Sequence, residues 1–295
     1  MFSPPSLANR PAEIRDKQRL ANLIHFETRV HRHLDWRAPL DWIGYQPFLV
    51  AERRNQIQAT LACPQDPPGV AWIRLFGVTS EIDPGQAWNN LWPVAFEILS
   101  SLDCITIAAI SLQDWFRRLL MDSGFQLNNH VILLEWKRGT LSQIETPSNL
   151  TIRSLDMQDM PAVESLDRAA FGLLWHNSSE SLESAFHQAA IATVAELGGK
   201  IVAYQISTAT HLGGHLARLA THPDHQNQGI GSALLQDLLA KFVHRGALHV
   251  TVNTQQDNKV SISVYEKNGF IQTGESYPVY QYDGFKANPA LNKFS

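Results

Sequence analysis

Cysteine is close to absent from this chain. Cys63 and Cys104 are its only two among 295 residues, too few and too far apart for a CxxC redox pair or a four-ligand zinc set. They read as small buried hydrophobes in a reducing compartment. A positive excess is lacking as well: 24 Lys and Arg stand against 28 Asp and Glu, a net charge of −4, which argues against a dedicated nucleic-acid binder. No apolar run reaches membrane-spanning length. The opening MFSPPSLANRPAEIRDKQ lacks the apolar core of a signal peptide. The cytoplasm is therefore the expected location, with neither a membrane nor a nucleic acid as partner. Metal-ligand spacing is missing too: His25, His31 and His33 are not set among carboxylates, so surface or packing roles are expected for them and no metal. What remains is 44% hydrophobic and 18% charged, the composition of a globular protein with a real core. Its length allows one large or two ordinary domains.

Two is the better reading, because the order of elements recurs in register. Phe48-Leu-Val-Ala-Glu52 matches Ala192-Thr-Val-Ala-Glu196, and at the same offset Ile57 meets Ile201, Ala59 meets Ala203 and Arg74 meets Arg218. Gly124-Phe125 meets Gly269-Phe270 after a shift of one residue. Strand and helix signals alternate in both halves, so the fold class expected is α/β with a mixed sheet, in two tandem copies. The first copy is assigned to residues 1–140, a polar linker to 141–149 and the second copy to 150–295. Within the first copy a helix is expected over 12–34, a hairpin over 48–62, a strand over 70–78 and a helix over 85–100.

The most informative stretch lies in the second copy, His215 to His244. It reads as a strand ended by Pro223, a short polar turn, and a helix whose apolar positions Ile230, Leu234, Leu235, Leu238, Leu239 and Phe242 follow helical spacing. The first turn of a helix has backbone N–H groups without partners, and with the helix dipole these form a site for an anion. Gln226-Asn227-Gln228-Gly229-Ile230-Gly231 contains no acidic residue to fill that site. Glycines 229 and 231 leave room for a phosphate at the backbone. The loop is neither the nucleotide P-loop, since no Gly-Lys-Ser/Thr follows, nor the dinucleotide fingerprint, since a third glycine is missing.

Gln226-x-x-Gly229-x-Gly231, after a strand ending in His222-Pro223, closely resembles the acyl-CoA motif of the GCN5-related N-acetyltransferases. The downstream run Asn258-Lys-Val-Ser-Ile-Ser-Val-Tyr265-Glu-Lys-Asn-Gly269-Phe270 is similar to a second mark of that family. The resemblance covers roughly residues 149 to 283 and implies two tandem folds of this family. It implies acetyl-CoA as co-substrate, its pyrophosphate on the amides of Gln226, Asn227, Gln228, Gly229, Ile230, Gly231 and Ser232. It further implies pantetheine paired with backbone groups of Leu219, Ala220 and Thr221 where two strands splay. Tyr265 is implied as general acid to the leaving thiolate, and Asn258 as a cofactor contact or a helix cap. The implied reaction is acetyl transfer to a primary amine, small-molecule or peptide, by direct attack in a ternary complex, no cysteine lying near the motifs. A non-catalytic acyl-CoA sensor is the alternative.

The base is the open position. Relatives acting on protein N-termini often carry a glutamate twelve residues before the tyrosine. Here that residue is Asn253, which cannot accept a proton at neutral pH and is assigned to orienting water or amine. Glu196, His176 and Glu180 are weaker base candidates. Phe171 and Trp175 are expected to line the acceptor pocket, with Tyr277 to Tyr280 opposite. In the first copy Ile82, Gly85 and Ala87 stand for Gln226, Gly229 and Gly231, Leu120 for Tyr265 and Gln113 for Asn258. Asp83 adds a negative charge there and Pro84 removes a donor. The first copy is therefore expected to be degenerate. Acceptor identity and oligomeric state are left open by the sequence.

Overall fold

A computed structural model of the chain describes residues 7–139, 147, 149–211 and 213–284. Most of the expected linker lies outside these residues, as do positions 1–6 and 285–295. The first half runs β1 Ala8–Pro11, α1 Lys17–Phe26, β2 Arg29–Arg32, β3 Phe48–Arg53, β4 Gln56–Ala62, β5 Val70–Trp72, β6 Leu75–Val78, α2 Pro84–Ser101, β7 Thr106–Ile110, α3 Asp114–Asp122 and β8 Gln126–Lys137. The second runs β9 Leu150–Ser154, α4 Met160–Ala170, α5 Ser179–Gln188, β10 Ile191–Leu197, β11 Lys200–Ala209, β12 Gly213–Thr221, α6 Ile230–His244, β13 His249–Gln255, α7 Lys259–Lys267 and β14 Ile271–Tyr282. The order recurs as the sequence reading expected, and the class is mixed α/β. No helix among the described residues is long and apolar enough to cross a membrane.

Two compact units form, Met1–Asn128 with Pro278–Ser295, and Asn129–Tyr277. They differ from a division by chain order at two strands. Most of β8, from the first half, lies in the second unit and pairs antiparallel with β13, from Lys137 opposite His249 to Val131 opposite Gln255. The end of β14 pairs with β7 in the first unit, Val279 opposite Ile110. Ile132, Leu134 and Trp136 of β8 are buried in the core that holds Leu235, Leu238 and Phe242 of α6. The apolar alternation of β8 thus completes the second unit's sheet rather than closing the first.

In the first unit, β1, β3, β4, β6 and β2 form one sheet. The helix expected over 12–34 ends at Phe26, because Arg29–Arg32 pairs with Leu75–Val78. Tertiary pairing overrides helical patterning there, and the carboxylate of Glu27 accepts from the Ser80 amide (3.0 Å). The strand expected over 70–78 divides: β5 pairs parallel with β7, and β6 pairs antiparallel with β4. Both cysteines are buried and free, and burial pushes the Cys104 thiol up to about 11.

His31 and His33 prove to be packing residues. His31 stacks on Phe116 (4.0 Å between centroids) and bonds the Ile73 carbonyl (3.0 Å), and burial pushes its pKa down from 6.5 to about 4. As the folded value lies below the unfolded one, this contribution to stability is complete above pH 6.5 and is lost as pH falls towards 4. The linkage amounts to roughly 3 kcal/mol. His33, stacked on Trp72 and lowered by burial and then by Arg74, acts in the same direction. Urea unfolding at pH 7 and pH 4.5 is expected to show the loss, and His31→Gln to shrink it; an unchanged pH slope in that variant would rule out His31 as the source.

The second unit orders its strands β8, β13, β12, β11, β10, β9. One face carries α6, packed so close that a Cβ on Gly214 would lie 2.5 Å from the Phe242 ring. Helix α4 packs on β11 and β12. An ion cluster repeats between the units and marks the duplication. Arg10 bridges Asp16 and Glu52 (both 2.6 Å), and Arg153 bridges Asp159 (2.7 Å) and Glu196 (2.6 Å). Glu196 is thus tied into β9 and β10 as a structural partner.

Candidate active site

The site is built where β12 and β13 part. They pair in parallel from Gly213–His249 to Leu216–Val252 and no further. A register shift against β11 leaves Ala217 as an extra residue, between Leu216 opposite Ser207 and Arg218 opposite Ile206. Such a bulge bends the strand and frees its edge. Beyond it the His222 amide donates to Val202 (2.8 Å). By antiparallel alternation, Ala220 then exchanges bonds with Tyr204, while the backbone groups of Leu219 and Thr221 face the open side. Leu219 and Thr221 line a cleft of about 500 Å³. Ala220 is buried and does not line it.

The mouth of the cleft is the start of α6. Gly229 caps the helix at φ 79°, a left-handed conformation that favours glycine, and no side chain caps it. The Ala233 amide makes the first helical bond, to Gly229 (2.9 Å), so the amides of Ile230, Gly231 and Ser232 have no helical acceptor. The first turn carries no acid, nor does the cleft lining, where Lys259 and Lys267 are the charged residues. Asn227, at φ 60°, shapes the turn. Gln226 donates to the Thr221 carbonyl (3.2 Å) and Gln228 to that of Asp224 (3.3 Å), so these side chains brace the loop. The donor set, uncapped amides plus two cations, fits a phosphate-bearing ligand.

In the first unit the same corner is filled. The Asp83 carboxylate caps α2 by accepting from the Gln86 amide (3.1 Å), with Pro84 at the first helical position. Aligned on helix starts, Asp83 stands in place of Gly229 and Pro84 in place of Ile230. This is two residues off the gapless sequence match, which set Gly85 against Gly229.

Tyr265 lines the cleft from α7. It is 4% exposed, packs beside Phe270 (5.8 Å between centroids), and burial raises its pKa well above 10, the Arg218 charge opposing. Asn258 caps α7 by accepting from the Ser261 amide (3.1 Å) and does not line the cleft. Asn253 is exposed on β13, the first residue past the paired segment. Asn268, unremarked in the sequence reading, ties the end of α7 to α6 by donating to Ser232 (3.2 Å).

Behind β12 sits a network that sequence reasoning missed. Arg218 donates two bonds to the buried Asp167 (2.8 Å each) and one to the Trp175 carbonyl (2.8 Å), and lies over the Phe171 ring (3.6 Å). The Tyr204 hydroxyl also donates to Asp167. The only signal was an unexplained acid among the apolar residues of α4. The network holds Phe171 and Trp175 against β12. His176, half-buried, follows in the same loop, and Glu180 is exposed in the first turn of α5. Tyr277–Tyr280 does not form an opposite wall as a unit: the division falls between Tyr277 and Pro278, and Val279 and Tyr280 are buried against β7.

A mixed sheet split at a bulge, with an uncapped helix start at the opening, defines a protein of the acyltransferase fold class. The acetyltransferase (GNAT) family model matches residues 155–270, which hold the uncapped start of α6 and Tyr265. A curated relative, the [ribosomal protein bS18]-alanine N-acetyltransferase of Escherichia coli (strain K12), is 29% identical over 120 residues, 41% of this chain and 80% of that protein. A GCN5-related N-acetyltransferase from Sphaerobacter thermophilus shares the fold over 95% of this chain and 97% of its own (TM-score 0.63, 16% identity). A tandem GNAT protein from the clavulanic acid biosynthesis pathway does so over 96% and 99% (TM-score 0.62, 14% identity). The tandem pair of folds therefore spans the chain.

Proposed function

We propose that the second unit transfers the acetyl group of acetyl-CoA to a primary amine by direct attack, and that the first is a degenerate copy that leaves CoA unbound. The uncapped start of α6 beside Tyr265 carries this reading. Bound there, acetyl-CoA would supply an activated acyl group, its diphosphate on the amides of Ile230, Gly231 and Ser232. The open backbone edge at Leu219 and Thr221 would receive the pantetheine amides as an added strand. Attack by the amine forms a C–N bond, breaks the C–S bond and leaves a thiolate.

Burial keeps Tyr265 protonated, so its hydroxyl is a donor to that sulfur. Transfer to a thiolate is helped because the same burial raises the thiolate's own proton affinity. No cysteine lines the cleft, which favours a ternary complex over an acyl-enzyme.

The test is thiol release from acetyl-CoA against a panel of primary amines that includes an alanine-terminated peptide, as the bacterial relative is named for acetylating a ribosomal-protein alanine. Release with at least one amine is expected. The alternative, an acyl-CoA sensor, draws support from Asn253, where a proton acceptor is lacking; it predicts tight binding and no release with any amine.

A further inference from the structure

The amine must lose a proton, and among the described residues the cleft lining holds no carboxylate and one imidazole, His225 at the loop. The two faces differ. Tyr265, Leu216 and Val252 share the core beneath α6. Strand alternation puts His215, Thr251 and Asn253 on the opposite face. His215 pairs with Thr251 one residue before the strands part. Its Nδ1 bonds the Thr251 Oγ1 (2.9 Å), and that hydroxyl is directed at the Gly214 carbonyl (3.5 Å). With the hydroxyl proton directed at that carbonyl, Oγ1 is free to accept from Nδ1–H. The tautomer this selects leaves a lone pair on Nε2, which has no partner among the described residues.

Resting on the transfer reading above, we propose that His215 is the general base, taking the amine proton on Nε2 from the face of the sheet opposite Tyr265. An acyl carbonyl lying in the gap between β12 and β13 presents two sides. The nucleophile comes from one, where Phe171, Trp175 and Arg218 stand, and the leaving sulfur is met from the other. One proton passes from amine to Nε2 and another from Tyr265 to sulfur, so the balance closes through solvent. Burial lowers the pKa of His215, keeping it neutral and able to accept. The charged and titratable groups on the same face of its neighbours are His249 on β13, Glu135 and Lys137 on β8, and Arg218 with Tyr204 and Asp167 behind them. Glu135 lies opposite Thr251, a strand further off, and is 3.6 Å from Lys137.

The experiment uses the full chain with His215→Asn, which retains a donor at the Nδ1 position and removes the base, and Glu135→Gln as comparator. His215→Asn is expected to lower kcat/KM about 100-fold, with acetyl-CoA affinity unchanged and activity recovering as pH passes the amine's own pKa. Nitrogen-15 NMR of the free protein is expected to find the Nδ1–H tautomer at His215, titrating below 6.5. Activity of His215→Asn within threefold of wild type, an Nε2–H tautomer, or the same loss in Glu135→Gln alone would overturn the assignment. Acetyl-CoA bound by the wild type with no amine acetylated would instead overturn the transfer reading, and the base with it.

Discussion

Gly229→Asp is expected to weaken acetyl-CoA binding roughly 10³-fold, measured by calorimetry. The substitution copies the first unit, where the Asp83 carboxylate already occupies the corresponding helix start. A capping carboxylate would take one of the free amides of α6 and set a negative charge where the diphosphate must rest. Charge-assisted bonds to amides contribute about 1.5–3 kcal/mol each, so losing one and adding repulsion gives about 4 kcal/mol, or three decades. The helix itself gains a cap, offset by strain at φ 79°, so the melting temperature is expected to move little. Unchanged affinity would show that the diphosphate does not sit at this turn. The mirror experiment is informative: Asp83→Gly in the first unit should not create a site, because Pro84 still withholds a donor.

Tyr265→Phe is expected to lower kcat roughly 10³-fold while leaving acetyl-CoA affinity within a few fold. The hydroxyl makes no hydrogen bond among the described residues, so its removal leaves no partner unsatisfied, and the ring's packing on Phe270 is kept. Structural damage is therefore a poor explanation for any loss. The effect should fall on the chemical step, and it should shrink for acetyl thioesters of more acidic thiols, whose leaving groups need no proton. Rates within threefold of wild type with the CoA thioester would remove Tyr265 from the role of acid.

The glycine turn, the acid-free helix start and the Tyr265 run all lie within short stretches, because anion binding by a helix end and capping by Asn258 are local physics. The duplication was legible from offsets such as Glu52 with Glu196, and the ion clusters of Arg10 and Arg153 give it a structural cause. Less legible was the side of the loop each residue serves. Gln226 lines the cleft while its side chain braces the Thr221 carbonyl, Gln228 braces that of Asp224, and Ala220, beyond the bulged Ala217, turns its backbone to β11.

Composition, the repeat and the two motifs were enough to determine a duplicated α/β chain, an acid-free glycine turn opening a helix at Gly229–Gly231, and a first copy whose corresponding helix start carries Asp83 and Pro84. Each follows from residue type and spacing, which the unfolded chain already contains. Tertiary structure alone decided that residues 129–137 complete the second unit's sheet, that Arg218 is held by Asp167, and that His215 meets Thr251 across a parallel pair. Those partners lie 36 or more positions apart in the chain. Strand pairing selects its neighbour by register and burial over the whole sheet, a choice no window of sequence contains.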